Sequence, residues 1–452
     1  MGMWCRAMIV GLAVAACLLG LAVCSSVAQT ASDEKPVVVL DTSSAWRTYT
    51  VLKPPVVDYD GKMKPITSLY PWVDRETALA PEGWTTRGFA DEAWLRGNAQ
   101  AGPHSPYASN LYLRARFEVT DPAQVKDLKL SVIYHGGAIV YVNGQEIARN
   151  HLAKDAKEAT AVAESYPKGV FVLDNGEIIV DNWAYKGPKE AITGRDRQLD
   201  VSVPPAALRK GVNVLAIQVI RAPYDKSVAE YWDKSKRKDT RELGDPELPY
   251  DFNWYTCELK GVKLTAAGAA GVVPNVGRPE ELQVWNGDVL THDTYADVGD
   301  RCEPLQPVSI TAPRNGWSSG KVVLGSSKAI DGLKVTCGDL KQGDAVIPAA
   351  AMRARYAVAF ADQPDVRLPL ESLLEEPLDS FPAAAGGTVV PVWLTVKVPA
   401  DAKAGTYTGQ VTVEATGEKA LVVPVTLQVS DFVVPDTQDY VTWIELMQSP
   451  DT

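Results

Sequence analysis

Short runs of alternating apolar and polar residues, rich in β-branched and aromatic side chains, recur along almost the whole chain. Examples are "LYLRARFEV", "LKLSVIY", "AIVYVNGQEIA", "NVLAIQVI", "VWLTVKV", "TYTGQVTV" and "ALVVPVTLQV", each closed off by Gly, Pro or Asn. A period of two puts successive side chains on opposite faces of a pleated strand, and many such runs at short spacing specify β-sandwiches. Helical periodicity is confined to "PAALRK" at 205–210 and "KDAKEATAVAES" at 154–165. The expected fold class is all-β. With 452 residues, 46% of them hydrophobic, the chain can fill two or three cores by burial alone.

Between Thr265 and Pro279 the stretch "TAAGAAGVVPNVGRP" holds small residues, Gly and Pro and almost no charge, as a connector does. A first sandwich is expected over 36–268, a connector over 269–279 and a second sandwich over 280–435. The remainder, 436–452, carries the apolar run Tyr440–Met447 and reads as the start of a further domain. Within the first sandwich, Asn143-Gly144 separates two alternating runs. Both residues tolerate positive φ, so a two-residue type I′ hairpin is expected there.

At the N-terminus Arg6 precedes the apolar stretch Met8–Val23, and "SSVAQ" follows with Ser26 and Ala28 at the cleavage positions. This is the pattern of a secretory signal peptide over 1–28, implying a secreted or periplasmic protein. The apolar run is too short to span a bilayer. A lipoprotein signal acylated at Cys24 is the alternative, although Val23 stands where a small residue is usual. Removal of 1–28 leaves Cys257, Cys302 and Cys337, an odd number that forms one disulfide at most, with Cys302 and Cys337 the better-placed pair. The net charge of −11 argues against a nucleic-acid partner, and the one basic run, Lys234–Lys238, reads as a solvated loop. The histidines, His104, His135, His151 and His292, have no metal-ligand spacing. No metal or other cofactor is expected.

Two resemblances sharpen this outline. "GFADEAWLRG", "LYLRARFEV", "VYVNGQEI" and "LRKGVNVLAIQVIRAPY", in that order, resemble a galactose-binding-like jelly roll, with an insertion from about His151 to Leu199. Such domains accompany secreted glycoside hydrolases. "PRNGWSSGKVVLGSS", "IDGLKVTCGDL", "VPVWLTVKVPADAKAGTYTGQVTV" and "VPVTLQVSDFVVPD" are similar to the immunoglobulin-like β-sandwich that precedes the catalytic barrel in bacterial glycoside hydrolase 123-like proteins. The resemblance implies that 436–452 leads toward a barrel and that the family's adjacent Asp-Glu pair belongs to that barrel.

Candidate sites follow from residue types. Ser318 in "GWSSG" matches the G-x-S-x-G pattern of an esterase nucleophile, but a strand-like run rather than a helix follows it, which favours a turn. Asp91-Glu92 is an adjacent carboxylate pair; neighbours in extended chain point opposite ways, and the expected setting is a solvated loop beside a packed Trp94. For carbohydrate binding the candidates are Trp183 and Tyr185 in the insertion and Tyr224, Tyr231 and Trp232 in the polar segment from Ala222 to Asn253, which also holds Tyr250; their rings could stack on sugar faces. Arg195 and Arg197 could hold a carboxylate or sulfate, while a surface ion-pair group with Asp196 is the plainer reading. The functional expectation is a pair of non-catalytic, carbohydrate-associated modules contacting an oligosaccharide or polysaccharide. The competing expectation is an extracellular structural or adhesive protein that mediates protein contacts.

Overall fold

The computed structural model describes residues 35–66, 75–156, 160–176, 179, 193–235, 255–360, 367–384 and 386–439. The signal segment 1–28 with Cys24, the candidates Trp183 and Tyr185, Tyr250 and the run Tyr440–Met447 lie outside the described residues. So do the side chains of Tyr231, Trp232 and Lys234–Lys238.

The chain folds as β-sandwiches. In the first, an antiparallel four-stranded sheet runs in the order Val37–Asp41, Glu258–Ala266, Lys129–His135, Arg197–Ser202. It faces a seven-stranded sheet whose centre is Trp46–Leu52, Ala108–Val119, Gly211–Ile220 and Gly137–Val142. The period-two pattern decides what lies between them. Leu113, Ala115 and Phe117 from one sheet meet Leu130, Val132 and Tyr134 from the other in a closed core with Trp46. The hairpin forms as expected: Val142 pairs with Gln145 across Asn143 and Gly144, with φ of 53° and 88°.

The second sandwich packs a five-stranded sheet, Gln283–Gly287 to Leu370–Leu374, on a six-stranded sheet containing Val308–Arg314, Leu421–Val433 and Gly405–Glu414. Val322, Leu324, Val392 and Leu394 interdigitate with Ile310, Tyr407, Val425 and Leu427. Among the described residues no sheet combines strands from before Pro274 with strands after Leu282. The short strand Val272–Val273, inside the expected connector, pairs with the end of Ala108–Val119.

Residues 36–452 nevertheless form one compact unit. Arg47 donates to Glu303, Arg96 donates to the Val298 carbonyl, and Asn275 donates to Asp300 Oδ1 at 2.7 Å and to the Arg116 carbonyl at 2.9 Å. These bonds, most of them charge-assisted, latch the sandwiches together.

Local elements differ from expectation in three places. The described parts of 154–165 are not helical: Ala163 and Glu164 donate to the Arg221 and His151 carbonyls, because Leu152, Ala163 and Tyr166 enter a separate core. "PAALRK" shortens to one 3-10 turn, Pro205–Ala207. A helix, Lys226–Ser235, stands where the sequence reads as a polar loop. Asp225 Oδ1 accepts from Ser227 N at 2.9 Å, satisfying one of its orphan amide groups. No described helix is long and apolar enough to cross a membrane. Cys257, Cys302 and Cys337 are free thiols, so the pairing of Cys302 with Cys337 is not made. Burial pushes the Cys257 and Cys302 thiols up to about 12, which keeps them protonated and inert.

Candidate functional site

The described carbohydrate-binding candidates Arg195 and Arg197 lie at one end of the first sandwich, where strand Lys129–His135 meets strand Arg197–Ser202. Tyr134 pairs with Arg197 across these strands, and His135 pairs with Glu258 on the other side. Beyond His135 the chain turns at Gly136, with φ of 104°. A Cβ there would come within 2.2 Å of the Ile220 carbonyl oxygen, so only glycine fits. The turn directs the Gly136 amide at the Tyr166 hydroxyl, 2.9 Å away, and that hydroxyl donates to the Arg195 carbonyl at 2.9 Å.

Arg197 lies over the Tyr166 ring, 3.9 Å from its centroid, and donates to the Gly136 and Glu164 carbonyls at 2.7 and 2.8 Å. Its planar face and its donors are thus spent on the insertion. Arg195 is fully buried and Tyr224 is 2% exposed, so neither offers a face to a glycan. The surface ion-pair reading of Arg195, Asp196 and Arg197 is corrected too. Asp196 Oδ1 holds buried His135 Nε2 at 2.8 Å, while His135 Nδ1 sits 2.9 Å from the Tyr255 carbonyl. Glu258 closes the group from 3.1 Å. Burial pushes the Glu258 carboxyl up, but the bond and charge of His135, with Lys260 and His104, outweigh it and hold Glu258 below the usual range. This end is a set of fastenings for the insertion rather than an open platform. Tyr166 and His135 were not singled out in the sequence, where an isolated Tyr and His carry no pattern.

The adjacent carboxylates are equally committed. Asp91 is fully buried, not solvated: Arg114 Nε donates to it at 2.6 Å and Arg116 bonds its other oxygen, while Glu92 points to solvent. Ser318 lies in strand Trp317–Ser326, not in a turn, and its hydroxyl donates to the Thr311 carbonyl at 2.7 Å. No base stands behind it among the described hydrogen bonds.

A cleft of about 330 Å³ lies between the sandwiches, with Arg47, Arg96, Trp94, Ser319 and Lys321 among its walls. Its cations are used internally. Lys321 Nζ is 2.5 Å from Asp293 and 2.8 Å from the Thr291 carbonyl, and burial pushes the Asp293 carboxyl up. Among the described residues no group of three or more His, Cys, Asp or Glu could hold a metal ion.

Residues 300–415 match the glycoside hydrolase 123 N-terminal domain. The matched region takes in the second sandwich from strand Val308–Arg314 to strand Gly405–Glu414. This part of the chain is a glycoside hydrolase-related β-sandwich, as its resemblance implied.

Similar solved structures include a family 123 glycoside hydrolase from Clostridium perfringens, at 16% identity, 34% of this chain, 28% of that chain and a TM-score of 0.25. A family 2 glycosyl hydrolase from Bacteroides cellulosilyticus aligns at 12% identity over 86% of this chain and 36% of its own, with a TM-score of 0.21. A Bifidobacterium dentium β-glucuronidase, in complex with coumarin-3-O-glucuronide, aligns at 12% identity over 88% and 49%, with a TM-score of 0.23. The chain thus spans less than half the length of each. No curated protein matches it.

Proposed function

We propose that this chain is an exported, non-catalytic part of a glycan-degrading protein, in which two β-sandwiches associate with an oligosaccharide or polysaccharide beside a catalytic barrel encoded further downstream. The observation that carries the reading is the match of residues 300–415 to the glycoside hydrolase 123 N-terminal domain. The local chemistry supports it. Hydrolysis of a glycosidic bond by the common routes needs two carboxyl groups facing one sugar across about 5 to 10 Å, whereas Asp91 is sealed under Arg114 and Arg116. Acyl transfer needs an activated nucleophile, and Ser318 is bonded to a backbone carbonyl.

The test is a hydrolysis assay on polysaccharides and aryl glycosides with the exported protein, together with pull-down on insoluble and gel-immobilised glycans. Retention on a glycan without turnover is expected. Turnover abolished by Asp91→Asn or Ser318→Ala overturns the non-catalytic reading. Failure to bind any glycan favours an adhesive protein that contacts other proteins. Intact mass of the exported protein tests export, with the mature chain expected to begin near Gln29. A barrel-coding frame after Thr452 is the expected gene context.

A further inference from the structure

The outer face of the four-stranded sheet is open and polar. Register alone lines up a row across all four strands: Asp41 opposite Lys263, Lys263 opposite Ser131, and Ser131 opposite Asp200. The next row carries Thr265, Lys129 and Ser202. Small side chains at the centre leave the sheet hollow there. Two depressions, of about 330 and about 480 Å³, share Ser131 and Lys263 as a common wall, so together they form a groove across the sheet. At about 4.8 Å per strand spacing the row spans about 14 Å, long enough for a short run of sugars.

The charges in the groove are unevenly committed. Asp200 accepts from Gln198 Nε2 at 2.8 Å, and Asp41 Oδ1 accepts from Ser43 N at 2.9 Å and Ser43 Oγ at 2.7 Å. Lys129 and Lys263 are both exposed, both wall the first depression, and their ammonium groups show no hydrogen bond or ion pair among the described residues. Asp41 and Asp200 balance Lys129 and Lys263, so the groove is locally neutral on a chain of net charge −11, with both ammonium groups uncommitted while both carboxylates already accept hydrogen bonds. The groove has no aromatic floor; Ile133, 38% exposed, is the one exposed large apolar side chain among the wall residues. Ring stacking is therefore not how it could hold a ligand, and charge with hydroxyl hydrogen bonding is.

We infer that this groove binds an acidic polysaccharide, with Lys129 and Lys263 taking its carboxylate or sulfate groups and Ser131, Ser202 and Thr265 its hydroxyls. Asp200, bonded to Gln198 and to Ser131, fixes the Ser131 hydroxyl so that its oxygen accepts from a sugar hydroxyl, which orients the chain across the sheet. This rests on the glycan-associated reading above and specifies its ligand class and place.

The test is calorimetric titration of the exported full chain with an oligogalacturonate, a sulfated galactan oligosaccharide and a neutral β-glucan oligosaccharide. Binding to at least one acidic ligand is expected, with the uronate and sulfate arms separating the two sources of negative charge. It should weaken as salt rises from about 0.01 M to about 0.15 M, which shortens the screening length from about 30 Å to about 8 Å. The double substitution Lys129→Ser with Lys263→Ser should lower the affinity at least about tenfold, as expected when charge-assisted contacts are removed. Ser131→Trp, which fills the groove without changing charge, should do the same. Acidic binding unchanged in both variants, or equal binding of the neutral ligand in the wild type, overturns the inference while leaving glycan association standing. No binding to any of the three removes the groove and, with the pull-down also negative, the broader reading as well.

Discussion

On the outer face of the seven-stranded sheet, Tyr112, Arg114 and Arg116 alternate with the core residues Leu113, Ala115 and Phe117, and the segment 75–97 folds over them. Trp84 meets Tyr112 edge-on at 4.9 Å, Trp94 lies 5.3 Å from Tyr49, and Asp91 is inserted between the two guanidinium groups. On the outer face of the four-stranded sheet, Lys129, Ser131 and Ile133 alternate with Leu130, Val132 and Tyr134 in the same way. There nothing described covers them. Alternation therefore assigns a side chain to a face, but whether that face is wet depends on a segment distant in sequence. Burial turns Arg114 and Asp91 from surface charges into a pair that the fold depends on, while Lys129 and Lys263 remain available to a partner.

The sharpest way to break this comparison is Asp91→Asn. Removing one member of a buried ion pair leaves Arg114 uncompensated and should cost about 3 to 5 kcal/mol in urea unfolding. A loss no larger than that of a surface substitution would mean the covered face is as wet as the open one. The same carboxylate sets an acid limit. Burial pushes the Asp91 carboxyl up, but Arg116 and Arg114 outweigh it and hold it below its ordinary value. Its contribution is therefore fully present above the ordinary carboxylate pKa of about 3.9 and is lost as pH falls through the lower folded value. Stability followed below about pH 4 should fall more steeply in the wild type than in Asp91→Asn.

At the end of the same sandwich, Arg197→Ala removes the bonds to Gly136 and Glu164 and the stack on Tyr166. A loss of about 1.5 to 3 kcal/mol is expected, as for hydrogen bonds to charged groups. Arg197→Lys should restore only part of it, because an ammonium cannot reproduce the planar fork. An unchanged midpoint would return Arg197 to the list of ligand-binding candidates. The smallest effect belongs to the open face: Lys129→Ser should shift stability by no more than about 0.5 kcal/mol. A larger loss would show that this face is also part of the fold's support.

The strands, the Asn143-Gly144 hairpin and the resemblance of residues 313–436 to the sandwich of glycoside hydrolase 123-like proteins were legible in the sequence. All of them are local: alternation, turn chemistry and contiguous motifs need no distant partner to be read. The candidate site was legible only in part. Arg195 and Arg197 were noticed as a charge cluster in the insertion, but their partners Tyr166 and Gly136 lie about thirty and about sixty residues earlier in the chain. "GFADEAW" looked solvated because Asp91 and Glu92 are charged, and its true setting is decided by Arg114 and Arg116 on a strand more than twenty residues later.

By itself, then, the sequence determined that the chain is all-β and which side of each strand its residues occupy, because the pleat enforces a period of two. Tertiary structure alone decided that the outer face of one sheet is sealed and the other open. It also decided that Asp41, Lys263, Ser131 and Asp200 form a single row. Strand order and register join residues far apart along the chain, and no local pattern carries that information.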